Sequence, residues 1–70
     1  MKRRDLLGRI AKRARELGLD WVLVTEGSEH TIYQVGSQKV SVPRHREISE
    51  YTAQGILKDT EGELGKRWWR

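Results

Sequence analysis

Between Arg3 and Leu17 the apolar residues fall at Leu6, Leu7, Ile10, Ala14 and Leu17. At about 100° per residue they form one stripe roughly 100° wide, the pattern of an amphipathic helix with one face in a core. Arg4, Arg9, Lys12 and Arg15 take the opposite face and point to water. Gly18 follows the stripe directly and suits a left-handed C-terminal cap. Gly8, inside the helix, costs about 1 kcal/mol relative to alanine. The pattern then changes. Asp20-Trp21-Val22-Leu23-Val24-Thr25 is β-branched and aromatic and predicts a largely buried strand. Glu26-Gly27-Ser28-Glu29 predicts a turn, residues 30–35 a second strand, Gly36-Ser37 a tight hairpin turn and residues 39–42 a third strand. In that third strand Val40 and Val42 alternate with Lys39 and Ser41, so one face is buried and the other wet. Pro43 has no N–H to give to a ladder and ends the sheet.

After an irregular stretch, Ala53-Gln54-Gly55-Ile56-Leu57-Lys58 predicts a short second helix, with Thr52 favoured over Ser49 as its N-cap. Ile48, Ile56 and Leu57 are placed against the sheet. From Thr60 to Arg70, two glycines and mixed charge leave two readings open, disorder or a weakly docked helix. Trp68 and Trp69 stack on bases, anchor a partner or cover the core, the last two being preferred. The order α-β-β-β-α is an α+β arrangement: a three-stranded antiparallel sheet with two helices on one face. This is the layout of the double-stranded RNA-binding domain. Residues 1–59 form the domain, and residues 60–70 a tail that is flexible or binds a partner.

Seventy residues allow one domain with a modest core. The absence of cysteine excludes a disulfide framework and a thiolate metal site, and fits the reducing cytoplasm. Met1-Lys2-Arg3-Arg4 resembles the charged start of a signal peptide, but no apolar run of about 7–15 residues follows it. Nothing reaches transmembrane length, so the expectation is a soluble, cytoplasmic protein with no membrane partner. Charge sharpens the picture. The formal net charge is +4, yet residues 2–15 hold Lys2, Arg3, Arg4, Arg9, Lys12, Arg13 and Arg15 against the single acid Asp5. A second cluster is Lys39, Arg44 and Arg46, with His45 between the arginines. The acids fall mostly elsewhere, at Glu26, Glu29, Asp59, Glu61 and Glu63. Such segregation focuses a positive field that suits nucleic acid or an acidic protein; its plainer reading is a solvated helix face.

Candidate chemistry centres on His30, which follows a glycine turn at the start of a strand. Histidine exchanges a proton near neutral pH. RNA is cut without metal when a base takes the 2′-hydroxyl proton and the oxygen attacks the adjacent phosphorus. Neighbouring lysines and arginines then stabilise charge on the phosphate. Gly27 permits close backbone approach to a ligand, and Ser28 offers a hydrogen-bond donor. The plainer alternative is a surface histidine making one hydrogen bond. His45 is the second candidate, as a proton-transfer group or a phosphate contact. No carboxylate stands at ligand spacing from either histidine, so neither a metal nor a cofactor is expected. No phosphate-binding glycine loop or nucleophile elbow occurs.

Three stretches together resemble the HicA toxins: Lys2-Arg3-Arg4-Asp5-Leu6-Leu7, Glu26-Gly27-Ser28-Glu29-His30 and Val42-Pro43-Arg44-His45-Arg46-Glu47-Ile48. Thr52 followed by Ile56-Leu57-Lys58 continues the match, which covers residues 2–59. Glu29 stands directly before His30 where many relatives read Gly-Ser-His or a doubled glycine. The resemblance implies a double-stranded RNA-binding-like fold and a toxin that cleaves mRNA, held inactive by a HicB-type antitoxin. It implies His30 as the catalytic residue, while Gly27, Ser28 and His45 are supporting candidates on their own chemistry. The expected RNA contacts are Lys2, Arg3, Arg4, Arg9, Lys12, Arg15, Lys39, Arg44 and Arg46. Two other readings stay open: a non-catalytic module that binds double-stranded RNA, and an interaction protein whose basic face meets an acidic partner.

Overall fold

The structure, a computed structural model, describes residues 1–70. The apolar stripe forms helix α1, Arg3–Glu16, and buries Leu6, Ile10 and Ala14. Its end is a Schellman turn. The Leu19 N–H donates to the Ala14 carbonyl at 2.8 Å and the Gly18 N–H to the Arg15 carbonyl at 3.1 Å. Gly18 takes the φ of 71° that this cap requires and that glycine adopts without steric cost.

Strands β1 (Trp21–Glu26), β2 (His30–Val35) and β3 (Gln38–Pro43) form one antiparallel sheet in the order β1-β2-β3. The register places Thr31 opposite Val42, Tyr33 opposite Val40 and His30 opposite Pro43. Side chains alternate across the pleat. Thr31, Val35, Val40 and Val42 therefore enter the core, while His30, Gln34, Lys39 and Ser41 stand on the opposite face.

The expectation of a largely buried first strand is not met. Val22, Leu23 and Val24 are 48, 53 and 42 % exposed. The reason is long-range: β1 and β3 are both edges, but the sheet residues buried beneath the helices all come from β2 and β3, and β1 is left uncovered. Only Trp21 at the start of β1 stays half-buried, its ring stacked on Tyr33 with centroids 4.6 Å apart. A bulge interrupts the ladder between Leu23 and Thr25.

Helix α2, Glu50–Asp59, begins earlier than the pattern suggested. Ser49, not Thr52, is the N-cap, and its Oγ accepts the Thr52 N–H at 3.2 Å. Both residues have the right chemistry, and Ile48, buried at 3 % exposure, fixes where the chain enters the helix. The tail is ordered against the core. It forms a short helix α3, Glu61–Leu64, with Leu64 fully buried. The Trp68 indole N–H donates to Thr60 Oγ1 and the Trp69 indole N–H to Glu61 Oε2, each at 2.8 Å. Both rings pack on the core cluster, so these tryptophans cover it. No helix is long and apolar enough to cross a membrane.

Candidate nucleic-acid interface and histidine site

The β1–β2 turn is closed by the Gly27 N–H, which donates to the His30 carbonyl at 2.9 Å. A Cβ on Gly27 would lie 2.9 Å from that same oxygen, so the turn in this form requires glycine. His30 follows at the strand start, exposed, its imidazole free of hydrogen bonds and ion pairs within the chain. Arg44 holds the turn from the other side. Its backbone N–H donates to the Glu29 carbonyl at 3.0 Å and its Nη1 to the Gly27 carbonyl at 2.7 Å. Its Nη2 lies 3.7 Å from the Glu26 carboxylate. Ser28, Glu29, His30, Arg44 and His45 line one cavity of about 450 Å³. The structure thus brings His30, Ser28 and His45 together, with Gly27 beneath them as a backbone support.

A larger cavity of about 650 Å³ is lined by Lys2, Arg3, Arg4 and Arg46 alone. Arg3 builds it. Its backbone N–H donates to the Arg46 carbonyl at 2.9 Å. Its guanidinium reaches across to the Pro43 carbonyl at 3.0 Å and to Thr31 Oγ1 at 3.1 Å. Pro43 is the register partner of His30, and Thr31 is its chain neighbour. The start of α1 is thereby fastened to the strand ends that carry the histidine. An isolated bridge between Lys2 and Glu47 adds to the fastening.

The other expected contacts lie apart. Arg9 and Lys12 line a third cavity of about 260 Å³ with Arg13, Glu16 and Trp68. Arg9 donates to the Trp69 carbonyl. Arg13 donates to the Leu64 carbonyl at 3.1 Å and pairs with Glu16 at 3.5 Å. Arg15 is exposed near the far end of α1. Lys39 pairs in register with Gln34, at the hairpin end remote from His30. The structural duties of Arg3, Arg9 and Arg44 have no local signal in sequence. Each depends on a carbonyl supplied from 17 to 60 residues away. No group of three or more histidines and carboxylates converges as metal ligands would.

The sequence matches the family model for the HicA toxin of bacterial toxin–antitoxin systems over residues 6–61. No curated protein and no solved structure matches the chain.

Proposed function

The chain belongs to the HicA toxin family, and from that premise we propose that it is an endoribonuclease that cuts mRNA with His30 as its proton-transfer group. The observation that supports this reading is the pairing of His30 and His45 on one open cavity, with Ser28 beside them. His30 takes the proton of a ribose 2′-hydroxyl. The oxygen bonds to the adjacent phosphorus while the bond from phosphorus to the 5′-oxygen breaks, and His45 returns a proton to that leaving oxygen. The products are a 2′,3′-cyclic phosphate end and a 5′-hydroxyl end. Arg44, through Gly27 and Glu29, positions the turn that carries His30. The toxin's partner is an antitoxin. We take it to be of the HicB type, acting in the cytoplasm by covering the His30 cavity.

The test is His30→Ala against a labelled transcript. Cleavage should fall roughly 10²–10⁴-fold, the usual contribution of a general acid or base. Thermal stability and RNA affinity should stay near the parent's, because the imidazole makes no contact within the fold. Cleavage near the parent's rate overturns the assignment of His30. A parent chain that retards RNA but never cuts it, under conditions where it is folded, would favour the non-catalytic binding module. EDTA should leave the activity unchanged.

A further inference from the structure

The His30 cavity has one arginine and no lysine, and that residue, Arg44, has its guanidinium already engaged by the Gly27 carbonyl and the Glu26 carboxylate. Glu29 stands on the same rim. The cavity is therefore poorly equipped to hold an RNA backbone by itself. Next to it lies the opposite situation. Lys2, Arg3, Arg4 and Arg46 line one cavity with no carboxylate in its wall. Of these, only Arg3 has its side chain hydrogen-bonded into the fold, through Pro43 and Thr31. The one ion pair among the four is the marginal contact of Arg4 with its exposed neighbour Asp5, at 3.9 Å. Glu47, the nearest acid in sequence to Arg46, lies 3.8 Å from the Met1 amine. Cations gathered without a counter-charge repel one another, and an anion from outside relieves that repulsion.

We infer that Lys2, Arg4 and Arg46 form a seat for an RNA backbone phosphate adjacent to the one cut at His30, with Arg3 as the strut that sets the separation. This rests on the nuclease reading for the words "cut at His30", but the seat itself does not. Three peptide steps separate Pro43 from Arg46, a reach of about 11 Å at most, and Pro43 lies directly across the ladder from His30. Arg46 of the seat also directly follows His45 of the His30 cavity, so one strand of RNA can reach both. Guanidinium groups take two phosphate oxygens at once, so Arg4 and Arg46 are the principal ligands and Lys2 adds a point charge. The geometry assigns substrate positioning to this seat and proton transfer to the cavity beside it.

The experiment measures the affinity of the full chain for a 2′-O-methyl RNA oligonucleotide, which lacks the attacking hydroxyl, across a range of sodium chloride. The variant is R4A/R46A, and the control is K58A/K66A, which removes the same charge from a cavity beside the tail. R4A/R46A should bind roughly 10- to 50-fold more weakly near 0.1 M salt, and its slope of log K against log salt should be shallower by about 1.4–1.8. With ribose RNA, KM should rise while kcat at saturation stays within about twofold. An unchanged affinity and slope overturns the seat. An equal loss in the control pair also overturns it, since diffuse charge would then be sufficient. Loss of antitoxin binding with RNA affinity intact makes the cavity a protein contact and likewise overturns it. If the parent cuts no RNA but R4A/R46A still loses affinity selectively, the nuclease reading fails and the seat stands.

Discussion

A methyl group on Gly27 would meet the His30 carbonyl oxygen at 2.9 Å, closer than a Cβ is found to such an atom. That oxygen is also the acceptor that closes the turn, so the strain falls on the backbone that carries the candidate catalytic group. Gly27→Ala should therefore cost roughly 1–3 kcal/mol in denaturant unfolding. It should also lower RNA cleavage at least tenfold, because displacement by about an ångström is enough to spoil proton transfer. A variant as stable and as active as the parent would show that the turn is looser than the structure describes. Sequence reading found Gly27 and His30 because the motif is local. The structural bonds of Arg3, Arg9 and Arg44 are not legible there, because nothing near these residues in the chain reveals the carbonyls they bind.

At the scale of elements, the hairpin between β2 and β3 is joined to α3 through one carboxylate. Glu63 Oε1 accepts from the Ser37 N–H at 2.5 Å and from the Ser37 hydroxyl at 2.6 Å. The side-chain bond first, and the backbone bond second, hold its carboxyl below the ordinary value of 4.5. Both bonds favour the ionised form. With the folded value depressed, the stability it contributes is complete above the ordinary carboxylate range and is lost as pH falls through the folded value. The melting temperatures of the parent and of Glu63→Gln should differ slightly at neutral pH and converge in acid. A gap that persists in acid would point to packing rather than charge. This junction was not legible beforehand, nor was the exposure of β1. Composition shows that Val22, Leu23 and Val24 prefer a strand, but which edge of the sheet the helices cover depends on packing between distant residues. The stripe of α1 and the Gly36-Ser37 turn were legible because a helical period and a tight turn are written in adjacent residues.

For the molecule as a whole, charge and burial divide the surface in two. Residues 16–38 contain Glu16, Asp20, Glu26 and Glu29 and no lysine or arginine. The exposed strand β1 lies within this acidic stretch, and so does the turn that carries His30. The tail closes the core on the other side. Removing residues 60–70 would strip Leu64 and Thr60, both fully buried, and uncap the cluster that Trp68 and Trp69 cover. Loss of one such aliphatic side chain alone costs roughly 2–5 kcal/mol, comparable with the whole margin of about 3–5 kcal/mol expected of so small a core. A chain ending at Asp59 should therefore show no cooperative thermal transition at 25 °C and above. A sharp transition close to the parent's would make the tail an accessory.

The docking of α3 also has a meaning in time. Synthesis runs from the amino end, and the basic residues from Lys2 to Arg46 are made first. The core beneath them is completed only when Leu64 arrives. Until then the growing chain lacks part of the core on which α1 packs. A nascent chain of this design therefore stays incomplete until its third helix has docked.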